Sequence, residues 1–103
     1  MAMPSGKYIQ LTLGSTGTRY IAPANGWFQF NGYATLPGGV VSLIHHNKKL
    51  KIQSTIGQGG NPYLRTCLPC NVGDVVRAEY YDLDTTKDAD ITGLFFVYAN
   101  GED

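Results

Sequence analysis

Apolar and polar side chains alternate along this chain in short runs, and turn-forming residues separate the runs. The run "KYIQLTLG" places Ile9, Leu11 and Leu13 on one face, with Tyr8 and Gln10 on the other. A period of two is typical of a strand with one buried face, and no stretch shows the 3.6-residue period of an amphipathic helix. Turn formers are abundant, with 13 Gly and 5 Pro among 103 residues. The sequence therefore predicts an all-β fold.

Eight strands are expected along the chain. They lie in the segments KYIQLTLG, RYIAP, WFQFNGYAT, VVSLIHH, LKIQSTI, YLRTCL, VVRAEYYDL and ITGLFFVYA. Eight short strands in 103 residues favour a single-domain antiparallel β-sandwich, or jelly roll. We expect one domain over residues 1–103, with a short lead at 1–6 and a polar tail at 100–103.

The segment "WFQFNGYAT" carries aromatic residues on both of its faces. Strand alternation puts Phe28 and Phe30 on one face and Trp27 and Tyr33 on the other. The first face is expected to line the core of the sandwich. A single small domain does not need to fill the second face, so we expect Trp27 to contact a sister chain, with a sugar or water as the alternatives.

Charge excludes some classes of partner. The net charge is zero and only 16% of residues are charged, against about 25% in ordinary soluble domains. Binding to nucleic acid is therefore not predicted. Membrane insertion is not predicted either, because no window approaches the roughly 18 apolar residues of a membrane span. The segment Met1–Ser5 is too short and insufficiently apolar for a signal peptide, so synthesis in the cytoplasm is expected.

Four landmarks occur in a recognisable order: "GWFQF", "VVSLIHHNKKL", "LPCNVGDVV" and "ITGLFFVYA". Over roughly residues 20–99 this order resembles the jelly roll of the complement globular head and tumour necrosis factor superfamily. The matching positions are Gly26, Phe28, Phe30, Gly73, Asp74, Val75, Gly93, Leu94 and Phe95. The segment "YIAPANG" is similar to one in the trimeric tail-fibre and tail-needle tip domains of bacteriophages.

The resemblance implies a homotrimer that binds or assembles and does not catalyse. On that basis we expect a phage or prophage virion protein, either a tail-fibre or needle-tip knob or a small decoration protein. Its partners would be other virion proteins and a glycan or protein of the host surface. The alternative is a carbohydrate-binding, adhesin-like sandwich, in which exposed aromatic rings stack on sugars. The candidate contact residues are Trp27, Tyr33, Tyr63, Tyr81, His45 and His46.

Other side chains suggest chemistry more weakly. Cys67 and Cys70 form a C-x-x-C motif, but a strand follows it where a redox motif needs a helix, so core or turn thiols are expected rather than a disulfide, metal or redox site. His45 and His46 should point to opposite faces of their strand, and either could line a threefold axis. The segment "DLDTTKDAD" is interpreted as a solvated loop rather than a calcium site. The segment "HHNKKLK" is interpreted as a charged turn rather than an anion-binding site. No motif of an enzyme occurs, and no cofactor is predicted.

Overall fold

The described residues form nine strands and no helix. The computed structural model describes residues 4–47, 49–55 and 60–101. The strands are β1 (Pro4–Leu11), β2 (Thr18–Ile21), β3 (Gly26–Ala34), β4 (Val40–His45), β5 (Leu50–Thr55), β6 (Tyr63–Cys70), β7 (Val75–Tyr81), β8 (Leu83–Asp84) and β9 (Gly93–Ala99). The eight predicted strands are therefore confirmed, and the short β8 is an addition.

The strands form two antiparallel sheets. Sheet 1 has the order β1-β9-β3-β6, with β8 pairing the end of β3, and sheet 2 has the order β2-β7-β4-β5. Successive strands cross repeatedly between the sheets, as in a jelly roll built from two Greek keys. The radius of gyration is 13.2 Å, against about 13 Å for a folded domain of 100 residues. The predicted single-domain jelly roll is confirmed.

The core lies between the two sheets. From sheet 1 it receives Phe28, Phe30, Leu64, Leu68, Leu94 and Phe96, and from sheet 2 Val41, Leu43, Val76 and Ala78. The ring of Phe28 meets that of Phe96 edge to face at 5.1 Å, and Phe30 meets Tyr80 in the same way at 5.7 Å. Such pairs add to the stabilisation from burial alone. The prediction that Phe28 and Phe30 line the core is thus confirmed.

One prediction requires correction. The lead expected at residues 1–6 overlaps β1, which begins at Pro4 and pairs with β9. In β5, Leu50 and Ile52 lie on one face and are 45% and 36% exposed, because β5 is the edge strand of sheet 2.

Some predicted positions lie outside the described residues. Lys48 in the basic turn, and Ile56 with Gly57–Gly59 after β5, are among them. Residues 1–3 and 102–103 at the two ends are the others.

Candidate functional site

The two outer faces of the sandwich differ in charge. Register and burial place the following side chains on the outer face of sheet 1: Tyr8, Gln10, Trp27, Gln29, Asn31, Tyr33, Tyr63, Arg65, Cys67, Pro69, Phe95 and Val97. Arg65 is the one charged residue in that set, which comes from β1, β3, β6 and β9. Asp84 of β8 lies opposite Tyr33, and Lys87, Asp88 and Asp90 of the loop before β9 lie beside the same face. The outer face of sheet 2 carries Arg19, Lys51, Arg77 and Glu79. Sheet 1 therefore presents the charge-poor, aromatic surface.

Apolar side chains occupy the outer face of sheet 1 where β1 pairs with β9. Phe95 is 7% exposed, and the ring of Tyr8 meets it edge-on at 6.0 Å. Tyr8 itself is 62% exposed. A shallow depression of about 200 Å³ lies beside these two rings. It is also lined by Val97, Ile91, the amides of Gln29 and Asn31, and Asp90. This part of the face offers apolar surface to an incoming group.

The amide side chains of this face satisfy each other. Gln29 Nε2 donates a hydrogen bond to Asn31 Oδ1 at 2.8 Å, and Asn31 Nδ2 donates to the Ile91 carbonyl at 3.0 Å. Because buried amides without partners are costly, this chain of bonds lets polar groups lie within an otherwise apolar face.

Two tyrosines mark the end of the face near β8. The rings of Tyr33 and Tyr63 lie 4.9 Å apart, and the Lys87 ammonium lies 4.6 Å from the centre of the Tyr33 ring. The hydroxyl of Tyr33 donates to Asp88 Oδ2 at 2.6 Å. That hydrogen bond, with smaller contributions from burial and the Asp88 charge, raises the pKa of Tyr33 to about 12.

The aromatic candidates for sugar stacking do not share one surface. Trp27, Tyr33 and Tyr63 lie on sheet 1, but Tyr81 lies on sheet 2 and is 56% exposed. Trp27 is only 8% exposed because neighbouring side chains of the same chain already cover it. Trp27 lies on the face that was predicted for it, and the expected contact with a sister chain stays a prediction.

The two histidines point to opposite sides, as predicted. His45 is 1% exposed and lies between the sheets, whereas His46 is exposed. The suggestion that His45 lines a symmetry axis is wrong, because its side chain points into the sandwich. His46 remains a surface candidate.

A mixed cluster of metal-ligand side chains surrounds His45. His45 Nε2 lies 2.8 Å from Asp74 Oδ2, and one ligand atom from each of His45, Cys70 and Asp74 lies within 4.8 Å of the others. The residues come from the end of β4, the end of β6 and the turn before β7. Neither Cys67 nor Cys70 is in a disulfide. Cys70 is buried, and Cys67 is half-buried on the outer face of sheet 1, where burial raises the pKa of the Cys67 thiol.

Sequence reasoning missed this cluster because it treated the C-x-x-C pair and the histidine pair as units. The alternation of side chains along each strand was the signal that could have revealed the cluster. Cys70 shares the inward parity of Leu68, and His45 shares that of Leu43, so one member of each pair points between the sheets. The pairing of β4 with β7 then brings Asp74 beside His45, and pairing register cannot be read from the sequence alone.

The acidic loop after β7 holds no such cluster in the part of the chain described. Asp84 Oδ1 accepts hydrogen bonds from the backbone N–H and hydroxyl of Thr86, and these bonds lower the pKa of Asp84. Asp88 is bound to Tyr33 instead. These carboxylates therefore have separate structural roles.

No protein-family model matches this chain, and no curated protein matches it either. The resemblance to trimeric jelly rolls thus rests on the residues quoted above. Nowhere in the described ranges does the chain form a helix able to cross a bilayer.

Proposed function

We propose that this chain is a non-enzymatic assembly and attachment domain of a bacteriophage or prophage particle, acting as a homotrimer. It would serve as a tail-fibre or needle-tip knob, or as a small decoration protein. Three copies would associate through the outer face of sheet 1. The surfaces that remain exposed in the trimer would bind other virion proteins, or a glycan or protein of the host.

The charge asymmetry between the two outer faces carries this proposal. The buried centres of protein interfaces are depleted of charged residues and enriched in aromatic ones. The outer face of sheet 1 approaches that composition: Tyr8 and Phe95 form an apolar patch where β1 pairs with β9, and Arg65 is the one charged residue that β1, β3, β6 and β9 place on the face. The charges of Lys87, Asp88 and Asp90, from the loop before β9, lie beside it. Sheet 2 has the mixed charges of an ordinary solvated surface.

The jelly-roll order gives the proposal independent support. It is the fold that the resemblance to phage tail tips implies, and it agrees with the strand order of both sheets. Fold by itself does not determine function, so the composition of the face remains the main argument.

A sugar-binding role has less support from the geometry. Stacking on a sugar needs an exposed ring, and Trp27 is 8% exposed. Tyr33 and Tyr63 pack against each other, and the Tyr33 hydroxyl is already bound to Asp88. No group of exposed rings forms a shared platform among the residues described.

Light scattering coupled to size exclusion tests the trimer, with two matched tyrosine variants. Tyr8 on sheet 1 and Tyr81 on sheet 2 are 62% and 56% exposed, so each tolerates arginine in a lone chain. We expect the mass of three chains for the natural protein and for Tyr81→Arg. Tyr8→Arg should yield monomers, because it places a charge in the apolar patch of the interface.

Two results would contradict the proposal. One is a monomeric natural protein at all accessible concentrations. The other is a trimer that survives Tyr8→Arg but dissociates with Tyr81→Arg, which would place the interface on sheet 2. Binding of glycans by the isolated monomer would favour the sugar-binding alternative.

A further inference from the structure

We propose that His45, Cys70 and Asp74 form a binding site for a divalent transition-metal ion, and that Zn²⁺ is the ion best matched to it. This site is separate from the outer face of sheet 1, so it stands or falls independently of the trimer. It lies between the sheets, at the end of the sandwich where β4 and β6 end.

The spacing of the ligand atoms suits a small ion. Bonds of about 2.0–2.3 Å from zinc to nitrogen, oxygen and sulfur place neighbouring ligands of a tetrahedron about 3.3–3.8 Å apart. The atoms of His45, Cys70 and Asp74 all lie within 4.8 Å of one another, and His45 Nε2 is 2.8 Å from Asp74 Oδ2. Small side-chain rotations would therefore complete the geometry without moving a strand.

The charges also balance. A metal-bound cysteine is a thiolate, aspartate is a carboxylate and a bound histidine is neutral, so the two negative charges cancel a divalent cation. This matters because His45 and Cys70 are 1% and 6% exposed, and an unbalanced charge at such depth is costly. Asp74 is 17% exposed and marks the side open to solvent.

The scaffold holds the carboxylate in place. The backbone N–H of Asn71 donates to Asp74 Oδ2 at 2.8 Å, as outer-shell groups do around metal ligands. The Asp74 carbonyl accepts from the Ala22 N–H at 2.8 Å, and the Gly73 N–H donates to the Ala22 carbonyl at 2.9 Å. These bonds fasten the turn to the end of β2, so its carboxylate is presented from a rigid element.

The ligand types select the class of metal. Calcium and magnesium take oxygen ligands, whereas one sulfur, one nitrogen and one oxygen suit zinc or cobalt. Three protein ligands leave a fourth position on the ion, which water or a ligand from another molecule can fill.

Cobalt(II) is the probe for the test, because a cobalt–thiolate bond gives a charge-transfer band in the near ultraviolet. The full chain, reduced and freed of metal by a chelator, is titrated with Co²⁺. We expect the band to saturate at one equivalent per chain and to disappear when Zn²⁺ is added. Cys70→Ser should abolish the band, and His45→Asn should weaken Co²⁺ binding by more than about tenfold.

The chain supplies its own controls, since it has only two cysteines and two histidines. Cys67→Ser and His46→Asn should leave the titration unchanged, because Cys67 lies on the outer face and His46 is exposed. Absence of the band in the natural protein would overturn the site. So would its survival in Cys70→Ser, or equal losses in the control variants.

A second measurement covers the case in which Cys70→Ser does not fold. In the natural protein, bound Zn²⁺ should protect Cys70 from alkylation, with Cys67 as the internal reference in the same peptide map. The reaction is run under mildly denaturing conditions, so that transient unfolding exposes Cys70. Equal rates of Cys70 alkylation with and without Zn²⁺ would contradict the proposal.

Discussion

A carboxylate holds the hydroxyl of Tyr33. The bond to Asp88 Oδ2 is 2.6 Å long, and the tyrosine is a neutral donor in it. Loss of the tyrosine proton would break this bond and set two negative charges side by side, which is why the pKa rises. The residue therefore joins β3 to the loop before β9 in a manner that depends on pH.

The first prediction concerns this titration. Tyr33 should ionise near pH 12 rather than near the ordinary value of 10.0. A pKa raised by folding favours the folded state fully below about pH 10, and that contribution is lost as the pH rises through about 12. The chemical shift of a ring carbon of Tyr33, followed by NMR as a function of pH, measures this pKa directly.

Asp88→Asn should return the pKa of Tyr33 toward 10.0. Asparagine suits this position because the backbone of Asp88 is left-handed, with φ of 52°. Asp90→Asn, an exposed carboxylate of the same loop, serves as the control and should leave the titration as it is. An unchanged pKa in Asp88→Asn would show that the carboxylate is not the cause.

At the scale of the element, β3 is the central strand of sheet 1. Its first residue, Gly26, lies opposite Tyr98 of β9 and Cys70 of β6. A Cβ on Gly26 would collide with the Val97 carbonyl oxygen and lie 2.9 Å from Phe96 Cζ. The strand can begin here only because this residue has no side chain.

Gly26→Ala should therefore destabilise the fold by about 1–3 kcal/mol or more, because backbone of β9 would have to move. Gly38→Ala is the matched control: its Cβ would meet nothing closer than Asp82 Oδ2 at 3.8 Å. Its free energy of unfolding should be unchanged or higher by up to about 1 kcal/mol. Urea unfolding of both variants measures the difference, and equal values would refute the close approach of β3 to β9.

Strand identity could be predicted from the sequence because alternation and turn residues are local signals. The face that each side chain occupies followed from the same alternation, as Trp27 and His45 illustrate. The degree of burial could not be predicted. Trp27 is buried although it lies on the outer face of its sheet, and Ile52 is exposed although its side chain has inward parity. Burial depends on which strand lies at an edge, and pairing order sets that. The two-residue β8 carries no pattern long enough to detect.

At the scale of the whole molecule, the difference between the two outer faces has a thermodynamic consequence. If three chains share the outer face of sheet 1, folding is linked to association, and the unfolding midpoint rises with protein concentration. From the sequence, the candidate interface could be predicted only as a list of aromatic residues. The difference in charge between the two outer faces becomes visible only when the strands are assigned to their sheets. The metal-ligand cluster likewise needs three segments brought together.

The last prediction follows from that linkage. Calorimetric scans at several concentrations should give a rising midpoint for the natural protein and for Tyr81→Arg. The midpoint for Tyr8→Arg should be lower and independent of concentration. A midpoint independent of concentration in all three proteins would rule out association coupled to folding.

The position of β9 bears on how the chain is made in the cell. Among the strands described, β9 leaves the ribosome last, yet it lies between β1 and β3 in sheet 1. At about 5–20 residues per second, β3 waits on the order of ten seconds for this neighbour. Until then Phe28 and Phe30 lack Phe96 and Leu94 as partners. Sheet 1 therefore closes only once β9 has emerged, and a nascent chain that stops before β9 is a target for chaperones and proteases rather than a smaller version of the fold.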